Sequence, residues 1–568
     1  MSPFRHRPSG TAARRGWTVG VTLVAAVLSV PVVVVAAHVF VPAGDVWAHL
    51  VATVLDDYIL NSLMLMAGVT LGTLTMGVTT AWLASMCSFP GRSIFEWASL
   101  LPMALPAYII AYTYTGLFDF AGPVQGALRS VAGWGYGDYW FPEIRSIWGA
   151  MAMLSLVLYP YVYLLTRAAF LSQSICVLDA SRTLGNGPWR TFFTVALPLA
   201  RPATVAGLSL ALMETLADYG TVQYFGVSTF TTGIFRTWYG LDNAAAASQL
   251  AAMLLLFVVA LIFLERYSRR HQRFHETSQR HQDLDRIELK GARGIIAFLL
   301  CLAPVLAGFV IPAAQLLVWT VEVWSEAVDA HFLTLVYNSL ELAVLASVLA
   351  LFLALLLGYG QRLNKSPWVN GAVRLAGMGY AIPGTVIAIG VVIPLAWVDN
   401  TLDSFLRDTF NISSGLLFSG TVFALLFAYM VRFLAVSLQT VSAGLGRIKP
   451  SIDEAGRSLG HTPGSILRAI HLPMLKGSLW TALLLVFVDV LKELPATLIL
   501  RPFNFNTLAV RAYEMASDER LAHAAPAALG IVVAGIVPVL LLSRSITRSR
   551  AVRAPAASTR LSPPLPAE

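Results

Sequence analysis

Asp179-Ala180-Ser181-Arg182-Thr183-Leu184-Gly185, then nine residues, then Val195-Ala196-Leu197-Pro198, recurs as Glu454-Ala455-Gly456-Arg457-Ser458-Leu459-Gly460 with Ile470-His471-Leu472-Pro473. Gly185 and Gly460 are 275 residues apart, as are Pro198 and Pro473. One half of the chain therefore repeats the other. Both copies are polar, carry Arg and interrupt apolar sequence, so what recurs is a water-exposed surface between membrane spans. A duplicated docking surface is expected.

The sequence around these copies is that of a membrane protein. Of 568 residues, 57% are hydrophobic and 12% charged, against about 25% charged in a soluble domain. Mean hydropathy is +0.69. The apolar runs can cross a hydrocarbon core of roughly 30 Å at about 1.5 Å per helical residue, which indicates helices rather than barrel strands. The expected fold is an all-α polytopic membrane protein of about twelve transmembrane helices, arranged as two parallel six-helix repeats. Spans are expected near 17–41, 60–84, 94–117, 146–168, 199–226 and 243–264, then near 295–320, 338–360, 373–396, 412–436, 474–500 and 522–543. The chain is thereby divided into an N-terminal segment 1–16, a first half 17–264, a linker 265–293, a second half 294–544 and a tail 545–568. The tail is rich in Pro, Ala and Ser and is expected to be disordered.

Lys and Arg are retained on the cytoplasmic side, whereas Asp and Glu contribute little to orientation. Arg5, Arg7, Arg14 and Arg15 precede the first span, the segment from Arg266 to Arg293 joins the halves, and Arg544, Arg548, Arg550, Arg553 and Arg560 follow the last. Both ends and the linker are thus expected inside. Asp45, Asp56, Asp57, Glu322, Glu326, Asp329, Asp399 and Asp403 fall in loops assigned outside. The formal charge of +8 is mostly topogenic, and no nucleic-acid partner is implied. The run from Trp17 to Phe40 exceeds a usual signal-peptide core, so a retained first span is expected.

The repeat extends beyond the polar loop. Asn61-Ser62-Leu63 aligns with Asn338-Ser339-Leu340, and Leu105-Pro106 with Ile382-Pro383. After the loop, Glu214 aligns with Asp489, Asp218 with Glu493, and Arg236 with Arg511. With an even number of spans per half, the units share one orientation about a pseudo-two-fold axis along the membrane normal, which suits a central pathway. His271, His275 and His281 in the linker read as a solvated connection rather than a metal site, and Cys87, Cys176 and Cys301 as packing.

Within the loop, Asp179 to Leu184 reads as a short helix stopped by Gly185, because Gly tolerates the positive φ of a helix C-terminus. Pro188 and Trp189 then restart the chain. Pro198 is expected in the first turn of the following span, where its missing N–H has no intrahelical partner. A stiff cytoplasmic element joined to a membrane helix can transmit a push.

On these residues the loops resemble the EAA loop of ATP-binding-cassette importer permeases: acidic-Ala-small, three residues, Gly, nine residues, aliphatic, any residue, Leu-Pro. Asp179 stands for the usual Glu, and Ser181 and Gly456 for the second Ala. The likeness covers nearly all of residues 55–545. It implies that Asp179, Ala180, Gly185, Leu197 and Pro198, with Glu454, Ala455, Gly460, Leu472 and Pro473, couple to nucleotide-binding ATPase subunits. Two halves in one chain, with Glu214-Thr215-Leu216-Ala217-Asp218-Tyr219-Gly220-Thr221 and Lys492-Glu493-Leu494-Pro495-Ala496-Thr497, look like the iron(III) importer permeases in particular. None of the lysines, Lys290, Lys365, Lys449, Lys476 and Lys492, follows a glycine, so the chain has no phosphate-binding loop of the Gly-x-x-x-x-Gly-Lys kind. No cofactor is expected in this chain. ATP is expected on two copies of a partner subunit, and the resemblance adds a periplasmic or lipid-anchored solute-binding protein, all at the lipid of a bacterial inner membrane.

Charges inside the spans mark the candidate pathway. Glu214 and Asp218 lie four residues apart and share a helical face, as do Asp489 and Glu493, with Lys492 beside the second pair. A charge at the bilayer centre costs about 2.5 to 3.5 kcal/mol on insertion scales, so these groups should face protein or water. Two readings stand: they line a path for a cation, or they brace the halves and meet water at the outer ends. Asn61 and Asn338 are expected to cap or cross-link helices, and Tyr108, Tyr112, Tyr159, Tyr161 and Tyr163 to pack or form an interfacial belt. No enzyme constellation is present. Thiamine, polyamine or aminoethylphosphonate import, and ion-coupled secondary transport, are the alternatives to iron import.

Overall fold

A computed structural model of the chain describes residues 9–135, 137–172, 181, 183–269, 286–364 and 366–551. Asp179, Ala180, Cys176, Lys365, the linker histidines and residues 552–568 lie outside that set. Among the described residues, ten helices are long and apolar enough to cross a membrane, or eleven if the pair Arg92–Ala104 and Ala107–Ala132, bent by 91°, is one span. The expected span at 522–543 falls on the helix Leu521–Ala551. The fold is all-α and polytopic. Among the described residues, regular strand pairing is confined to one short ladder: Cys87-Ser88 pairs in parallel with Ile287-Glu288, tying the end of the linker to the first half.

The third spans differ from expectation in both halves, and in the same way. Instead of continuous helices over 94–117 and 373–396, short helices Arg92–Ala98 and Pro367–Ala376 lead through 3-10 turns into Ala107–Phe118 and Gly384–Phe410. Leu105 and Ile382 are extended (φ −97° and −91°) because a following proline disfavours the α region. Pro106 and Pro383 then open the membrane helices.

The fifth spans also end early. Helices Leu197–Ala217 and Leu472–Leu491 stop between the paired acids, with Glu214 and Asp489 inside them and Asp218 and Glu493 beyond, and short helices Gly220–Tyr224 and Pro495–Leu500 come next. At the other end, a π turn precedes each fifth span, Phe192–Ala196 and Leu467–His471. Pro198 and Pro473 therefore sit inside a continuous helix, not at its first turn. The wider π turn displaces the carbonyls that a proline ring would otherwise strike, so the helix runs from the repeated loop into the span without a break.

Each half embraces the other through its first span. Thr18 Oγ1 accepts from Asn364 Nδ2 (2.9 Å), Trp17 packs edge-on to Tyr359 at 5.3 Å, and Gly390 lets the Pro31 carbonyl approach its helix closely. In the opposite sense, the first span of the second half accepts Tyr114 Oη at Ala307 O (2.7 Å) and lays Phe298 against Phe95. Buried Val21, Leu28 and Val35 consequently share one apolar core with Leu342, Ile387 and Val391. Burying such surface favours a fixed arrangement of the halves by close packing.

Candidate functional site

A cavity of about 100 Å³ lies between the halves, and all four expected carboxylates, Glu214, Asp218, Asp489 and Glu493, line it. It has room for only a few waters. Tyr108, Tyr161 and Tyr380 contribute to its wall, with Tyr161 Oη 3.4 Å from Tyr380 Oη.

The carboxylates do not have equal roles. Asp218 accepts from Thr221 N, Val222 N and Thr221 Oγ1 at 3.1, 3.1 and 2.9 Å, which satisfies free amides at the start of the next short helix. Glu493, its repeat equivalent, accepts from Ala496 N at 2.9 Å. These two acids stand at the end of the fifth span and cap the short helix beyond it. Glu214 and Asp489, one turn earlier, instead face charged partners. Lys492 Nζ is 2.9 Å from Asp489 Oδ1, and Arg432 Nη2 is 3.9 Å from Glu214 Oε2. Asp218 thus caps a helix, Glu493 both caps and faces Arg432, and Glu214 and Asp489 face cations, while all four line the cavity.

Arg432 is absent from the sequence-derived set. It stands on the helix Val422–Gly446 with a side chain 8% exposed, and Nη1 lies 3.3 Å from both carboxylate oxygens of Glu493. A lone Arg in an apolar span is itself a signal of a paired, inward-facing charge. Repeat comparison does not reveal it, because the aligned residue in the first half is Val157. Among the described residues, no three His, Cys, Asp or Glu side chains are grouped closely enough to hold a metal ion.

Asn61 Nδ2 donates to Ser228 O (2.9 Å) and Asn338 Nδ2 to Asn506 O (3.2 Å), so both tie the second span to the loop beyond the fifth. Tyr112, Tyr159 and Tyr163 are fully buried packing residues.

The repeated loops share a turn. Gly185 has φ +80° and Gly460 φ +82°. Asn186 N donates to Ser181 O (3.2 Å), and His461 N to Gly456 O (3.0 Å), the six-to-one bond of a glycine-stopped helix. Leu184 and Leu459, just before the glycines, are 81% and 77% exposed, an unusual cost for large apolar side chains outside lipid. In the second loop, helix Pro450–Ser458 exposes Glu454 and Ala455 and turns Gly456 against Ile466. Leu197 and Leu472 are half-buried, and Pro198 and Pro473 exposed, on the helices that continue into the membrane.

Comparison with known proteins places this geometry. Residues 74–273 match the family described as the binding-protein-dependent transport system inner membrane component. An Fe(3+)-transport system permease protein of Haemophilus influenzae is 26% identical over 85% of this chain and 89% of its own length. A ferric transport system permease protein of Actinobacillus pleuropneumoniae is 24% identical over 75% of this chain and 61% of its own. A molybdenum transport system permease protein of Escherichia coli is 27% identical over 36% of this chain and 88% of its own. The long matches run through both halves, while the molybdenum permease is about one half in size. Residues 74–273 thus match the binding-protein-dependent transport system inner membrane component family, and the multi-pass chain resembles the iron(III) transport permeases along both halves.

Proposed function

We propose that this permease carries ferric iron through its central cavity by alternating access, driven by ATP bound on separate subunits. The observation that carries the choice of solute is the charge of the cavity wall: four carboxylates face two cations, Arg432 and Lys492, leaving two negative charges in excess. An oxyanion such as the molybdenum permeases imply would be repelled at that wall, and a hard cation attracted. The iron(III) relatives that match along both halves support the same choice.

Coupling is assigned to the loops Asp179–Pro198 and Glu454–Pro473. Each contains a glycine-stopped turn with an exposed leucine, and each joins the fifth span through an unbroken helix. Two such receivers call for two copies of an ATPase subunit, whose closure on ATP would move both loops together and part the halves at the opposite face. A periplasmic or lipid-anchored binding protein would deliver solute there. Both termini and the Arg-rich linker belong in the cytoplasm, where the ATPase subunits dock.

The test is uptake of radioactive iron(III) by proteoliposomes holding the assembled importer and its binding protein. Uptake should require ATP and fall at least tenfold on Glu214→Gln, about 1.4 kcal/mol in barrier. Uptake of molybdate in place of iron, or uptake that persists without ATP and collapses with the ion gradient, would refute the proposal.

A further inference from the structure

We infer that Glu214 and Glu493 form a cation site which the permease fills with its own guanidinium, Arg432, and that the cargo must displace it. The inference rests on the cation pathway proposed above and assigns its gate.

Three observations converge on Arg432. First, it joins the halves: Nη2 stands 3.9 Å from Glu214 Oε2 in the first half, and Nη1 3.3 Å from the Glu493 oxygens in the second. Second, the guanidinium is buried yet incompletely bound. Its side chain is 8% exposed and lines the cavity, while Nε has no hydrogen-bond partner among the described residues. A buried donor without a partner is costly, so this arrangement is held by the ion pairs rather than by complete solvation. Third, room has been made for it. A Cβ at Gly384 would collide with Arg432 Nη1, whereas the aligned residue of the first half, which has Val157 in place of the arginine, is Ala107.

The carboxylates of Glu214 and Asp489 keep the repeat symmetry, but the arginine breaks it. A symmetric acidic passage with two asymmetric cations, of which Lys492 stays on Asp489 of its own half and Arg432 pairs across the halves, is suited to being neutralised in two ways: by the tethered guanidinium, or by a multivalent cation in transit. A hard trivalent ion offers more charge in less volume than a guanidinium, so it can compete for the same oxygens. Once released from Glu214, Arg432 remains beside Glu493, and the ion pair joining the halves is broken.

Terbium(III), a hard trivalent ion whose luminescence is sensitised by nearby tyrosine, is the probe. Tyr161 and Tyr380 line the cavity. The full-length chain in lipid nanodiscs is titrated with terbium(III). Arg432→Gln should tighten binding by about tenfold, and adding Glu214→Gln or Glu493→Gln should remove the gain. Arg432→Lys, whose ammonium cannot reach both acids, should tighten it by a smaller factor and serves if the glutamine variant does not fold. Equal affinity in wild type and both Arg432 variants, with weaker binding in Glu214→Gln, would overturn the displacement while leaving the cation pathway intact. Weaker binding by Arg432→Gln would overturn it too, making the arginine a support for the site. Binding indifferent to every one of these carboxylates would remove both the gate and the pathway.

Discussion

His471 Nε2 lies 2.7 Å from Asp453 Oδ1, so the last residue of the π turn before the fifth span is held against the acid that precedes Glu454 in the second loop. Asp453 is gripped from the other side by Arg362 Nε at 2.7 Å, while the Arg362 Nη1 and Nη2 groups donate to Leu445 O and Ile448 O at 2.6 and 2.8 Å. One carboxylate thus fastens the loop helix Pro450–Ser458 to the second and fifth spans of its half, and Arg362 carries the tie on to the end of the fourth. Such a joint resists bending when the loop is pushed.

Asp453→Ala should therefore loosen the joint as well as lower stability. Both ion-pair partners are mostly buried, at 14% and 19% exposed, and removing the acid leaves Arg362 with an unpaired charge. The expected loss is about 1–3 kcal/mol, read as a fall in thermal midpoint of the purified protein. Solute uptake per ATP hydrolysed should fall with it. Unchanged stoichiometry in a folded variant would show that the clamp is structural only.

Replacing Gly185 and Gly460 with Val should uncouple uptake from ATP hydrolysis. At φ +80° and +82° a β-branched residue is strained by roughly 1–2 kcal/mol at each site, although open space surrounds both glycines. The strain is conformational and local, so insertion should survive while the docked loop changes shape. Normal uptake by the correctly inserted double variant would count against these loops as coupling elements.

The halves also meet at an exposed ion pair, Arg145 Nη1 to Glu519 Oε1 at 2.8 Å, with a second bond between Nη2 and Oε2 at 3.1 Å. Hydrogen bonding to Arg145 holds the Glu519 carboxyl below its ordinary pKa. A depressed folded-state pKa means that the stabilisation is present above the unfolded value near 4.3 and lost as pH falls through the folded value. Glu519 is 62% exposed, so the contribution is small, about 0–1 kcal/mol. Glu519→Gln should lower stability slightly at pH 7 and make no difference at pH 2, as measured by thermal unfolding across that range.

Much of this arrangement is legible in the residues. The duplicated loop announces a two-fold architecture, and the four acids marked by their charge do line one cavity, although Asp218 and Glu493 lie beyond the ends of their helices and so do not share a helical face with Glu214 and Asp489 as the spacing predicts. The helix breaks are harder to read because their cause is local: Pro106 and Pro383 act through the residue before them, inside runs whose hydropathy is continuous. Arg432, Tyr380 and the Arg362–Asp453–His471 clamp escape for another reason. Each is brought to its partners by tertiary packing, from sequence separations that no periodicity spans, and Arg432 has no copy in the other half to draw attention to it.

The two acids of a pair should respond differently to substitution, because one is bonded to backbone and the other faces the cavity. Asp218→Ala removes the acceptor for Thr221 N and Val222 N and should cost about 1 kcal/mol, the usual loss for a helix cap, with a lowered thermal midpoint. Glu214→Gln keeps the volume and leaves those caps untouched, and Arg432 retains Glu493, so its midpoint should fall by less than that of Asp218→Ala while iron uptake falls further. Asp218→Asn, which retains an acceptor oxygen, should recover most of the stability and much of the uptake. Measuring unfolding and uptake on the same preparations separates bracing from conduction. If Glu214→Gln and Asp218→Ala lose stability and uptake in equal proportion, both acids are braces, and the passage must be lined by other groups.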